Sequence, residues 1–158
     1  FIAKGFIADE LKAFFLERGV SCALINLGGN VLAVGSKPDH TPFHVGIRRP
    51  FADISESAAV VDLSDRSLVT SGNYERYFIQ DEKLYHHILD TQTGWPSDSG
   101  LSSVTILSDT SLEGDALSTA CFLLGEKKGM ALIDSLPQVE AFFIRQDGSI
   151  RKTEGFPD

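Results

Sequence analysis

The order in which hydrophobic periodicity changes along the chain limits its fold more than any other feature. A helical repeat comes first, a long series of short strand-like runs follows, then a second helical repeat and a closing pair of strand-like runs. Helices and strands do not alternate. The pattern therefore predicts an α+β fold, a mostly antiparallel sheet with two main helices, and not a βαβ series. In the first repeat, over 3–19, Ile7, Leu11, Phe14 and Phe15 fall at i, i+4, i+7 and i+8 and are expected to form the buried face. Gly19 is the expected stop.

Over 20–35 two apolar runs flank Gly28-Gly29-Asn30, the pattern of paired strands. Val45-Gly46-Ile47, 58–63, 67–71, 74–78, 83–89 and 101–107 read as further strands, with Ser64-Asp65-Arg66 as the turn between two of them. Thr110 and Glu113 have capping-box spacing and open the second helix. Its expected core face is Leu117, Ala120, Cys121 and Leu124, and Gly125 its end. A short helix over 129–135 follows. Gln146-Asp147-Gly148 between 141–145 and 149–152 marks a last hairpin.

The 158 residues suffice for one domain with a sizeable core, and no apolar run reaches the roughly 18 residues of a membrane span. A net charge of −8 argues against nucleic acid as a partner. It also makes phosphate binding a local problem, requiring a metal ion or a well-placed lysine. Cys22 and Cys121 lie in apolar patterns and read as buried free thiols.

Five places are candidates for chemistry. Asp115 and Thr119 are one helical turn apart, half of an oxygen-rich site for a hard cation. Spacing alone is met as well by a carboxylate near a helix N-terminus and a surface threonine. His86 and His87 are neighbours on a strand and must point apart, so at most one is a base and the other is expected at the surface. Lys4-Gly5 opens the first helix, a corner suited to phosphate. Gly28-Gly29-Asn30 and Ser71-Gly72-Asn73 allow close approach of a ligand, though turn geometry accounts for both.

Taken in order, Ile2 to Asp9, Asn26 to Asn30, Ser71 to Phe78, His87 to Gly94 and Asp115 to Ala120 resemble the FAD:protein FMN transferases, the ApbE family. The order and intervals agree over nearly the whole chain. The resemblance implies that 1–158 is the C-terminal catalytic portion of a larger ApbE-like fold, with an N-terminal portion preceding it. It implies Mg²⁺ held by Asp115 and Thr119, with carbonyls from Ser118 and Phe1. Lys4 and the backbone at Leu89 are implied FAD contacts, and His87 the catalytic base. The implied reaction moves FMN from FAD to a Thr or Ser hydroxyl of a target protein, forming a phosphoester and releasing AMP. FAD and the target protein are the implied partners, and an extracytoplasmic lipoprotein anchored upstream is the implied setting. A Mg-dependent FAD pyrophosphatase and a non-catalytic flavin-binding module remain open alternatives. The sequence departs from the family pattern at Thr91, where many members have Pro, and at Gly114, often Ala.

Overall fold

The computed structural model describes residues 2–53 and 55–157. The elements in chain order are α1 (Ala3–Glu17), β1 (Ala23–Asn26), β2 (Asn30–Val34), β3 (Phe43–Arg48), β4 (Ser57–Leu63), β5 (Ser67–Gly72), β6 (Tyr77–Gln80), β7 (Lys83–His86), β8 (Leu101–Ser108), α2 (Ser111–Leu124), α3 (Glu126–Asp134), β9 (Glu140–Arg145) and β10 (Ile150–Lys152). Six strands form one sheet in the order β1-β2-β5-β8-β9-β10. Every neighbour in it is antiparallel. The α+β expectation holds.

This sheet is a middle layer, covered on both faces. Alternate residues explain how. In β9, Phe142 and Ile144 join one cluster with Val45, Ile47, Val61 and Leu63 of the β3–β4 ribbon. Ala141 and Phe143 point the other way, to Cys121, Phe122 and Ile133 of the helices. In β2 the same alternation sends Ala33 to the ribbon and Leu32 and Val34 to Ala8 of α1. All eight residues of β8 are buried. A strand covered on both faces is expected to be a continuous apolar or small-residue run, and β8 is one. Among the described residues no helix is long and apolar enough to cross a membrane.

Local signals account for several elements. The β1–β2 turn places Gly28 and Gly29 at φ 64° and 82°, the positive values that a two-residue hairpin loop needs. The Thr110 hydroxyl accepts from the Glu113 N–H at 3.3 Å and caps α2. Gly125, at φ 75°, ends it, and α3 starts there, earlier than the expected 129.

Ser64-Asp65-Arg66 is the turn between β4 and β5, with Asp65 at φ 51°, but the two strands do not pair: β4 pairs with β3, whereas β5 leaves for the main sheet. Two expectations are corrected. In α1, Leu11 and Phe15 pack partly buried beside Ala8 on β1 and β2, but Ile7 and Phe14 are exposed, and Gly5 is buried because its close approach to α2 leaves no room for a side chain. In α2, Leu124 is exposed and the buried face is Ser111, Gly114, Asp115, Ser118, Cys121 and Phe122. The cleft side of that helix is thus buried by polar pairing as much as by apolar contact.

Candidate active site

α1 and α2 meet closely. A β-carbon on Gly5 would lie 2.5 Å from the Ser111 carbonyl oxygen and 2.7 Å from the Leu112 Cα. Two carboxylates fasten this contact. Asp9 accepts from the Ser111 and Leu112 N–H groups, each at 2.8 Å, so a side chain from α1 caps the start of α2. Asp115, 5% exposed, accepts from the Gly5 N–H at 2.9 Å. The Gly5 amide is therefore engaged by protein, and Lys4 alone of that corner faces the ligand space.

Lys4 Nζ donates to the Gly28 carbonyl at 2.8 Å and bridges α1 to the β1–β2 turn. That turn rests on β5 through the Thr70 N–H, which donates to the Gly29 carbonyl at 2.8 Å. Below it, Ser71 Oγ lies 2.9 Å from Ser118 Oγ and 3.1 Å from Thr119 Oγ1. Thr119 also donates to the Asp115 carbonyl at 3.4 Å.

The two histidines do point apart. His86 is buried, its Nε2 3.1 Å from the Ser97 carbonyl and its ring edge-on to Phe122. Burial pushes its pKa below the ordinary 6.5. The expectation that the second histidine lies at the surface is thus corrected, since the Phe122 contact makes it a core residue. His87 is exposed. Its N–H donates to the Arg76 carbonyl at 3.2 Å, and its Nδ1 lies 3.3 Å from the same oxygen. A proton on Nδ1 satisfies that contact and leaves Nε2 as the basic nitrogen.

These groups converge. One cleft of about 320 Å³ is lined by Lys4, Gly28, Ser71, Gly72, Arg76, His87, Asp115 and Thr119, among others. Of the expected site residues it joins Lys4, His87, Asp115 and Thr119. Ser118 lies buried behind it, on Ser71. Leu89 is exposed, bridged to Pro96, and does not line it. Phe1 lies outside the described residues. Sequence reading missed Arg76, Glu75 and Thr70, also on the cleft wall, and the cap from Asp9. The Ser71-Gly72-Asn73 turn signal and the Ser71 to Phe78 motif pointed toward that wall without giving Glu75 or Arg76 a role.

The pattern of the ApbE family matches residues 2–143 of the chain. The chain belongs to the ApbE family. Its ApbE relatives include an FAD:protein FMN transferase of Treponema pallidum, 41% identical over 165 residues, which cover 99% of this chain and 46% of that protein. Another, from Klebsiella pneumoniae, is 42% identical over 149 residues, 94% of this chain and 45% of the relative. Among solved structures, the ApbE protein of Thermotoga maritima superposes with a TM-score of 0.88 at 33% identity, covering 97% of this chain and 50% of that one. The apo flavinyl transferase ApbE of Pseudomonas stutzeri gives 0.79 at 33% identity, covering 97% and 48%. The chain thus spans about half the length of the ApbE proteins it matches.

Proposed function

We propose that residues 1–158 are the C-terminal catalytic portion of an FAD:protein FMN transferase. The single observation that carries this reading is the convergence of Lys4, His87, Asp115 and Thr119 on one cleft, from three separate parts of the chain. The relatives named for this activity supply its substrates, FAD and a protein acceptor.

The donor set suits magnesium. Asp115 and Thr119 offer hard oxygens, and among the described residues no three His, Cys, Asp or Glu side chains gather at one point. A cation here would be held by the Asp115 carboxylate, neutral oxygens including Thr119 and the Ser118 carbonyl, and nucleotide phosphates, a ligand set that suits Mg²⁺. When bound, it neutralises diphosphate charge and favours departure of AMP. Lys4 and Arg76 bring positive charge to the same wall, which an acidic chain needs there. His87 Nε2 takes the proton from an acceptor Thr or Ser hydroxyl. That oxygen bonds to the FMN-side phosphorus, the phosphorus–oxygen bond to AMP breaks, and a phosphoester-linked FMN results. The family resemblance also assigns the backbone at Leu89, two residues beyond His87, to the flavin nucleotide; Phe1, its remaining implied metal ligand, lies outside the described residues. An upstream lipidated segment would hold the protein to an extracytoplasmic membrane face.

Product analysis on the complete protein with FAD, Mg²⁺ and acceptor tests this. Flavinylated acceptor plus AMP is expected. Free FMN plus AMP would instead make it a pyrophosphatase, and unchanged FAD a binding module. Asp115→Ala should abolish Mg-dependent transfer. His87→Ala should lose transfer while still binding FAD, whereas His86→Ala should lose stability first.

A further inference from the structure

β5 and α2 run in step where they pack. Val69 of β5 faces Gly114 of α2, where an added β-carbon would lie 2.8 Å from Val69 Cγ2. Two residues along a strand advance about 6.8 Å, and four along a helix about 6 Å. The next residue of β5 on that face is therefore Ser71, and it meets the next turn of α2. Its Oγ lies 2.9 Å from Ser118 Oγ and 3.1 Å from Thr119 Oγ1. Ser118 is buried, while Ser71 and Thr119 are half-buried on the cleft wall with Asp115.

Each hydroxyl has one proton to give. The Asp115 carbonyl is within reach of Ser118 Oγ at 3.3 Å and of Thr119 Oγ1 at 3.4 Å. Two arrangements are possible. In one, Ser71 donates to Thr119, and Thr119 donates to the Asp115 carbonyl over the long 3.4 Å distance. One lone pair of Thr119 is then taken by Ser71. In the other, Thr119 donates to Ser71, Ser71 to Ser118, and Ser118 to the Asp115 carbonyl. Every proton has an acceptor, and both lone pairs of Thr119 are left free. A hydroxyl ligates a cation through a lone pair, with its proton turned away. Hydrogen bonds in series also polarise one another, so the first donor of the chain gains negative charge on its oxygen.

We propose that Ser71 is a positioning residue for the cation site: it accepts the Thr119 proton, passes the chain on to Ser118, and so aims a Thr119 lone pair into the cleft. This rests on the reading of Asp115 and Thr119 as cation ligands. Ser71 acts through Thr119 and not on the cation itself. Groups behind a ligand set its orientation and basicity, and with them the affinity of the site.

The test uses the complete protein with FAD and no acceptor, and Mn²⁺ as the probe, since it takes the same oxygen ligands as Mg²⁺. Bound Mn²⁺ is read from the loss of the free-ion paramagnetic resonance signal, and thermal unfolding is measured without metal. Ser71→Ala should weaken Mn²⁺ binding about tenfold or more. Its metal-free Tm should stay close to wild type, because Ser118 and Thr119 each keep the Asp115 carbonyl. Ser71→Thr, which keeps a hydroxyl, should restore the affinity. Ser118→Ala removes the acceptor of the Ser71 proton and should weaken binding in the same direction. The double variant should bind no worse than Ser71→Ala alone, since the chain is already broken. In the transfer assay the half-saturating Mg²⁺ of Ser71→Ala should rise by the same factor. Unchanged Mn²⁺ affinity in Ser71→Ala, with binding lost in Asp115→Ala, would overturn the proposal and keep the cation site. An affinity loss that Ser71→Thr does not recover, or that runs parallel to a fall in metal-free stability, would overturn it too and assign Ser71 to packing. No Mn²⁺ binding in wild type, or binding that Asp115→Ala leaves intact, removes the cation reading and the proposal with it.

Discussion

Gly5→Ala distinguishes close helix packing from helix propensity, because the two predict opposite signs. Alanine is the better helix former by about 1 kcal/mol, so propensity alone makes the variant more stable. The structure says otherwise. The added methyl would stand 2.5 Å from the Ser111 carbonyl oxygen, 2.7 Å from the Leu112 Cα and 2.8 Å from the Asp115 Cβ. Two of these are backbone atoms and cannot rotate away. Overpacking of this kind costs about 1–3 kcal/mol. Moving the helices apart also stretches the 2.9 Å bond from the Gly5 N–H to Asp115. A hydrogen bond to a buried carboxylate is worth about 1.5–3 kcal/mol. With the propensity gain subtracted, the net loss is about 1.5–5 kcal/mol. For a chain of 158 residues that is a fall in Tm of roughly 3–20 °C. Denaturant and thermal unfolding measure it, with Ala13→Gly on the exposed side of α1 as a control losing only about 1 kcal/mol. A Gly5→Ala protein as stable as wild type, or more so, would refute the close approach of α1 to α2. It would also remove the argument for how Asp115 is held beside Lys4.

Other outcomes can be checked more briefly. The buried His86 has its pKa below 6.5, so the unfolded chain binds a proton that the folded one does not. Its contribution is present above pH 6.5 and is lost as pH falls from there through its depressed value. The stability of His86→Gln should therefore depend less on pH between 7 and 5, and identical slopes would count against the burial. The Cys121 thiol, pushed up to about 11 by burial, should resist alkylation at pH 8, while half-buried Cys22 reacts. Of these two thiols, one should label in the folded state and both in denaturant. Arg145 grips Glu126 with Nε at 2.5 Å and Nη2 at 2.7 Å, and the pairing lowers the Glu126 pKa. Glu126→Gln should cost only about 0.5–1 kcal/mol, and less in 1 M salt, since the pair is partly solvated. A loss that salt leaves unchanged would place the effect in packing instead.

What was legible in the sequence was mostly local. The Gly28-Gly29 turn, the Thr110 cap, the Gly125 stop and the last hairpin each depend on a few neighbouring residues, and each is found where it was expected. The fate of β4 and β5 was not legible. Their separation is decided by pairing of β5 with β2 and β8, distant in the chain. The buried face of α1 was misread because apolar size was taken as the sign of burial. At the close contact with α2 the sign reverses, and Gly5 goes inside while Phe14 stays out. Lys4, His87, Asp115 and Thr119 were named from ordered motifs, which carry three-dimensional proximity that no single spacing does. The Asp9 cap escaped because its partners are a hundred residues away, on another helix. His86 was expected at the surface because neighbours on a strand point to opposite faces and one face was taken to be solvent. In the core the Ser97 carbonyl gives its nitrogen a partner.

The strand order of the main sheet has a consequence for solubility. Its ends are its shortest members, β1 with four residues and β10 with three. Any open sheet leaves a ladder of unsatisfied backbone groups at each end, to which another chain can add. Here the long, fully buried β8 is kept in the interior, where no second molecule can reach it. The exposed margin at β10 is brief and carries Arg151 and Lys152, so copies meeting there bring like charges together. At the other margin, Asn26 turns its side chain back to the Gly28 N–H at 3.1 Å and closes the strand after four residues. The longest strand of the sheet is thus kept away from both open edges.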